Sequence, residues 1–261
     1  MSFFILFDSK IAMCLKNRRF RLIFLSLFLS LSACKSYQYS ILNNYYEKKE
    51  LRNKLIQNKK LLNASSEGDL KGVQEALKNG ADINAVDYNG NSALMITKTK
   101  AIAEFLIDEK ADIELTNKKG ESAFILQAKT DNIEILKFLL RAGADPYKKT
   151  LHERTALMEA SYSKATIKVF LFLMHLDYDI NAVSKFGDTA LVIAILRNNH
   201  DKAKILLERG ARTDIPNQAG WTAKTAAKYF KQTDLLQIIE AQKLNSLAFP
   251  CKNYFSKAVL N

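Results

Sequence analysis

The chain has 261 residues, with 39 Lys+Arg against 27 Asp+Glu and a formal net charge of +12. Ordinary apolar content with only nine Gly and three Pro excludes a chain disordered throughout and leaves room for one or two domains. The basic balance favours anionic partners or surfaces in general. The three cysteines, Cys14, Cys34 and Cys251, lie far apart, so no CxxC pair or Cys/His zinc spacing is present.

In chain order, a basic cluster comes first: Lys16, Arg18, Arg19 and Arg21. An apolar run follows from Leu22 to Leu31, and then Ser32, Ala33 and Cys34. The run is shorter than the roughly 20 residues that span a bilayer as a helix. It has the order of a secretory signal, predicted to cover 1–33. Leu31-Ser-Ala-Cys34 also resembles the lipobox of bacterial lipoproteins. The resemblance implies cleavage before Cys34 and acyl chains on that residue, where two or more chains anchor stably. The product would carry +8, because 1–33 hold five basic groups and one acid. An uncleaved anchor with an incidental cysteine is the alternative. Met1 to Ala12 do not fit the signal pattern, which places the expected start at Met13. Lys35, rather than Asp, after the lipidated cysteine points under the same resemblance to the outer membrane of a bacterial envelope.

Residues 34–58 read as a lipidated N-terminus and basic tether. Tyr37, Tyr39, Tyr45 and Tyr46 give way to Lys48, Lys49, Arg52 and Lys54. Leu51 and Leu55, four apart, predict a helix from about Asn44 onward. Its charges are a solvated face or a patch held against anionic headgroups.

From residue 59 to 243 one pattern recurs. Ser92, Ser122, Thr155, Thr189 and Thr222 are spaced by 30, 33, 34 and 33 residues, and each is followed by Ala. A second marker has the same period: Gly80-Ala-Asp, Lys110-Ala-Asp, Gly143-Ala-Asp, Asp177-Tyr-Asp and Gly210-Ala-Arg. The hydroxyl residue suits a helix N-cap and the Gly a left-handed helix terminus. Together with Gly90-x-Ser-Ala-Leu, Gly120-x-Ser-Ala-Phe, Gly187-x-Thr-Ala-Leu and Gly220-x-Thr-Ala, this resembles the ankyrin repeat, with Ala in place of the family's Pro. The resemblance implies an all-α solenoid of paired antiparallel helices joined by short β-turns, in about six units including caps. A lone unit cannot bury its apolar face, and stacking closes the core. The most regular unit is 181–214. The unit opening at Ser92 is three residues short, which predicts a truncated first helix. The unit opening at Thr155 has Glu153 for Gly and one extra residue near Tyr162 to Lys164. Asn198 can take the left-handed role of Gly. Lys224, at a position usually Leu, marks an outward-facing terminal unit. Residues 244–261 form a tail that docks on the last unit or stays free.

Nothing in the sequence predicts catalysis. There is no P-loop, GxSxG, HExxH or GxGxxG. His152, His175 and His200 fall in three different units, so neither a metal nor a cofactor is expected. Cys251 has no neighbouring histidine and reads as a spare or packed thiol. The resemblance places a partner surface on the turn tips, the residues before each Ser/Thr, and the ends of first helices. The candidates are Tyr88, Asn91, Lys118, Lys119, Glu121, Lys129, Arg154, Tyr162, Lys185, Phe186, Asp188, Arg197 and Trp221. Lysines at 118, 119, 148, 149 and 185 in the turns point to an acidic protein partner. The leading expectation is a lipid-anchored exported module that binds a protein. A secreted ankyrin effector acting on host proteins is the alternative. An enzyme or inhibitor using Cys251 is a third class without motif support. Nucleic acid is not an expected partner, because the charge is dispersed and export argues against it.

Overall fold

The structure, a computed structural model, describes residues 47–163 and 165–248, with side chains as far as Gln242. The signal, Cys34, most of the tether, Lys164, Cys251 and the tail beyond Ala248 lie outside the described residues. Contacts divide the chain between Leu55 and Ile56, and the larger unit is the repeat array.

Helix α1 covers 47–67, continuous with the expected tether helix. Then come α2 (Leu70–Lys78), α3 (Ala93–Ile96), α4 (Lys100–Asp108), α5 (Ala123–Ala128) and α6 (Ile133–Arg141). The series ends with α7 (Ala156–Tyr162), α8 (Ile167–Met174), α9 (Ala190–Leu196), α10 (His200–Glu208), α11 (Ala223–Tyr229) and α12 (Thr233–Ala248). Among the described residues there is no strand, only single bridges between Val86 and Ser92 and between Thr116 and Ser122. First helices pack in the row α3, α5, α7, α9, α11. Second helices pack in the row α2, α4, α6, α8, α10, α12.

The period has a local cause. Ser122, Thr155, Thr189 and Thr222 each accept a hydrogen bond from the amide three residues on, at 3.2–3.4 Å. Ser92 is the exception: its hydroxyl oxygen has no partner, and its amide donates to Met95 Sδ at 3.4 Å. The alanines that follow, Ala93, Ala123, Ala156, Ala190 and Ala223, are all buried. Their small size lets neighbouring first helices approach closely. Between the two rows of helices sit Phe124, Phe170, Ile102, Leu106, Leu136, Leu139 and Leu157, fully buried. In α9 all of Ala190 to Ile195 are buried, consistent with the regularity of its unit.

The irregular units are repaired by side chains of the next unit. Helix α3 has four residues, as the missing turn predicts. Gln127 Nε2 donates to the Met95 and Thr97 carbonyls at 3.1 Å, serving acceptors the short helix leaves open. At the longer connection after α7, Lys202 Nζ donates to the Ala160 and Ser163 carbonyls at 2.7 and 2.8 Å. Burial lowers the Lys202 pKa, while Asp131 acts against that shift. The regular unit is closed in the same way, with Gln232 Nε2 donating to the Ile195 carbonyl at the end of α9 at 3.0 Å. Glu153 (φ 57°) and Asn198 (φ 59°) hold the left-handed positions assigned to them, and Lys110 (φ 70°) takes the helix-end role of Gly80. At Asp177 no left-handed residue is used. There Tyr178 donates its hydroxyl to the Pro146 carbonyl and packs edge-on against Tyr147, with centroids 5.5 Å apart. Lys224 is exposed and pairs with Glu240 at 3.1 Å, consistent with an outward-facing last unit.

Candidate functional site

The site is built from the five turns. Each has a polar residue five positions before the Ser/Thr: Asp87, Asn117, Thr150, Ser184 and Asn217. Its backbone amide donates to the carbonyl four residues on, at 2.9–3.0 Å in all five turns. Its side-chain oxygen accepts the amide four residues on as well: Asn91, Glu121, Arg154, Asp188 and Trp221. Each loop is thereby closed on itself. Successive turns are then joined backbone to backbone, by Lys118 N to Asn89 O, Leu151 N to Lys119 O, Lys185 N to His152 O and Gln218 N to Phe186 O, at 2.8–2.9 Å. The tips form a rigid strip, which reduces the ordering cost of binding.

Gly120 shows why this strip constrains sequence. Its φ is +73°, and a Cβ there would lie 2.7 Å from Leu151 N. Gly220 has φ +78° with nothing within 4 Å, and among the described residues no further turn stacks on it.

Inside the strip runs a ladder of side chains. Asn91 Nδ2 donates to Asp87 Oδ2 at 2.9 Å. Asn117 Nδ2 donates to Asn91 Oδ1 at 2.9 Å and to Glu121 Oε2 at 2.8 Å. Lys129 Nζ lies 2.6 Å from Glu121 Oε1 and 3.7 Å from Glu159 Oε2. Arg154 reaches Glu159 at 3.6 Å and Asp188 at 3.9 Å, and its Nε is buried without a partner. Asp188 Oδ1 accepts from Asn217 Nδ2 at 2.7 Å. Tyr162 is flanked by Arg154 at 5.3 Å and Arg197 at 3.6 Å from its ring centre, both within cation–π range. Burial pushes the Glu121 carboxyl up, but hydrogen bonds from Lys129 and Asn117 and the charges of Lys129 and Lys119 outweigh it. The net result is a pKa below the ordinary 4.5.

Twelve of the thirteen sequence candidates therefore divide into two groups, and Trp221 stands apart. Asn91, Glu121, Lys129, Arg154, Tyr162, Asp188 and Arg197 meet in the ladder. Glu121 is 4% exposed and Asp188 8%, so these two position their neighbours and present little surface of their own. Tyr88, Lys118, Lys119, Lys185 and Phe186 are exposed on the tips. Lys118 Nζ sits 4.2 Å from the Tyr88 ring centre, and Phe186 packs on His152 with centroids 5.3 Å apart. Trp221 is half-buried against the core and meets Tyr229 edge-on at 5.1 Å; Tyr229 in turn meets Phe230. Lys148 corrects the sequence reading: it is not a free turn cation, because its ammonium donates to the Glu114 carbonyl and carboxylate at 2.8 and 3.0 Å.

Sequence reasoning missed Asn117, Thr150, Ser184 and Asn217, although a polar residue five before every Ser/Thr was there to find. It also missed Glu159, which no periodic marker distinguishes, and the exposed pair Tyr229 and Phe230. Among the described residues no group of three or more His, Cys, Asp or Glu is placed to hold a metal.

Turn, helix, helix, repeated and stacked with capped first helices and a hydrogen-bonded strip of tips, is the architecture of an α-solenoid interaction scaffold. The model of ankyrin repeats (3 copies) matches residues 61–150, 96–184 and 157–246, and the chain belongs to the ankyrin-repeat family. The putative ankyrin repeat protein YahD of Escherichia coli (strain K12) is 26% identical over 186 residues, covering 68% of this chain and 92% of YahD. The nuclear factor NF-kappa-B p105 subunit of Gallus gallus is 30% identical over 152 residues, 56% of this chain but 16% of that protein. The L-asparaginase of Dirofilaria immitis is 28% identical over 192 residues, 70% of this chain and 31% of its own. With these last two, likeness is confined to a minor part of the relative. Among solved structures, a chain from the complex of the Bd0816 predatory endopeptidase of Bdellovibrio bacteriovorus with immunity protein Bd3460 superposes with a TM-score of 0.61 at 27% identity. That match covers 70% of this chain and 97% of the other.

Proposed function

We propose that the array is a protein-binding module held at a bacterial envelope membrane by lipid on Cys34, and that it engages an acidic partner on the turn tips and the adjoining ladder. The observation that carries the binding reading is the contrast between the two layers. The ladder's charges are spent on one another, whereas Lys118, Lys119 and Lys185 stand exposed beside Tyr88, Leu151 and Phe186 on a rigid strip. Aromatic and cationic groups together are the usual anchors of interfaces. Membership of a scaffold family supports a protein partner. The anchor rests on Leu31-Ser-Ala-Cys34 and the preceding signal-like segment. Among the described residues no helix is long and apolar enough to cross a membrane, and the anchoring reading does not require one.

The solved endopeptidase–immunity protein complex favours a second, narrower reading: the partner is an enzyme that the array restrains. Under either reading, metabolic labelling with palmitate should tag the wild-type chain and not Cys34→Ala. Crosslinking in cells, followed by purification of the captured partner, supplies the ligand for binding assays. Affinity should fall about tenfold or more in Lys118→Glu/Lys185→Glu, and should weaken as salt rises, because exposed charges are screened within about 8–10 Å at 0.1–0.15 M. Affinity unchanged by both the double reversal and salt would reject the tip surface as an acidic-partner site.

A further inference from the structure

The turn tips present side chains at a fixed interval. The residue after each closing polar group is Tyr88, Lys118, Leu151, Lys185 or Gln218, and all five are exposed. Along the array this row reads apolar, cation, apolar, cation, amide. Tyr88 is 88% and Leu151 65% exposed, so both offer apolar area that the fold does not use. Lys119, next to Lys118, adds a second cation at its tip. Glu153 is exposed at the end of the Leu151 tip, where the other four turns have Gly. The middle of the strip is thus apolar and repels a carboxylate, while the tips on either side of it attract one. The bonds of 2.8–2.9 Å between successive tips keep the interval from stretching to suit a partner. Helices packed side by side lie about 8–10 Å apart, which sets the interval between equivalent tip residues.

We propose that the occupant of the tips is a segment in polyproline II geometry with two carboxylates about six residues apart and an apolar residue midway. This rests on the acidic-partner reading above and gives that partner a shape. The interval selects the geometry. A polyproline II chain has three residues per turn and rises about 3.1 Å per residue, so every third side chain lies on one side at about 9.3 Å. A β-strand returns to one face every two residues, about 6.7 Å, and falls out of step at the next tip. An α-helix comes back only after two turns, about 10.8 Å, and would separate the carboxylates by about fourteen residues. In register, one carboxylate meets Lys118 and Lys119, the apolar residue meets Leu151, and the second carboxylate meets Lys185. A further apolar residue, three beyond the first carboxylate, meets the Tyr88 ring, and proline suits it because aromatic side chains receive polyproline II segments. Such a segment has no internal hydrogen bonds to break and is already extended, so little order is lost on a rigid strip.

Selection of a phage-displayed library of random 16-residue peptides on the full chain tests it. Enriched peptides should carry two Asp or Glu six apart, with an apolar residue three from each. Selection on Lys185→Glu should put Lys or Arg at one of the two acidic positions and keep the rest. A synthetic peptide of the wild-type consensus should bind that variant roughly tenfold more weakly, through like-charge repulsion. Leu151→Ser should erase the midway preference and keep both acids. The substituted residues are exposed, and circular dichroism checks that the variants stay folded. Acids enriched without the six-residue spacing, or fourteen apart, would overturn the proposal and leave the acidic-partner reading standing. An empty selection would do the same where the crosslinked partner still responds to Lys118→Glu/Lys185→Glu. Enrichment of peptides without acids, indifferent to that double reversal, would overturn both.

Discussion

Replacing Gly120 by Ala should lower the stability of the array by about 3 kcal/mol, whereas Gly220→Ala should cost only about 1 kcal/mol. The two glycines share a left-handed backbone, at φ +73° and +78°. An L-residue there pays the same conformational penalty of about 1–2 kcal/mol at both sites. Only at Gly120 does the new Cβ also meet backbone, 2.7 Å from Leu151 N, in a strip where Leu151 N already donates to Lys119 O. That strip cannot yield without breaking the bond between turns. Urea denaturation of both variants, followed by circular dichroism at the helical signal, measures the difference. Equal losses would show that the strip is soft and would remove the argument for preorganised tips.

Glu121→Ala should destabilise the protein by about 2–3 kcal/mol at neutral pH, a large fraction of a typical domain's stability. The carboxylate is buried, and its removal leaves Lys129 and Asn117 without their shared acceptor. Lys129 retains partial exposure and a longer contact to Glu159 at 3.7 Å, which keeps the loss below that of a fully buried pair. Glu121→Gln should cost less at pH 7 and should also change the acid response. The folded-state pKa of Glu121 is depressed, so its carboxylate stabilises the fold above the ordinary value of 4.5. That contribution is lost as pH falls from there through the lowered folded value. Wild type should therefore lose stability more steeply than Glu121→Gln below about pH 4.5. Parallel acid limbs in the two proteins would falsify the assignment of the ladder's central pair.

The two predictions concern different layers of one surface. Gly120 keeps the tips in register, and Glu121 anchors the groups beneath them. Because Glu121 sits under the exposed tips, its loss should disturb binding through the placement of Lys119 and Lys129. A binding assay on Glu121→Gln separates this from simple unfolding.

The fold was legible because each repeat is a local device. A hydroxyl at the helix start, a small Ala beside it, and a left-handed residue at the helix end satisfy constraints set within a few positions. Even the exceptions could be read. Three missing residues before Lys100 yield the four-residue α3, and Glu153 and Asn198 adopt positive φ where Gly was replaced. The site was legible only as positions on a surface. Nothing in the sequence said that Asp188 bonds Asn217, 29 residues away, or that Lys129 lies within reach of Glu159. Those pairings depend on how one turn stacks on the next.

By itself, then, the sequence determined the repeat period, the starts of the first helices, the ends of most second helices, and the shortened and lengthened units, since all follow from capping, spacing and apolar periodicity. Only the tertiary structure decided which of those polar residues are consumed and which are offered. It turned Lys148 inward to Glu114, buried Glu121 and Asp188 beneath the tips, and left Lys118 and Lys185 exposed. The physical reason is that stacking sets the distances between units, and charge pairing and burial depend on those distances rather than on position along the chain.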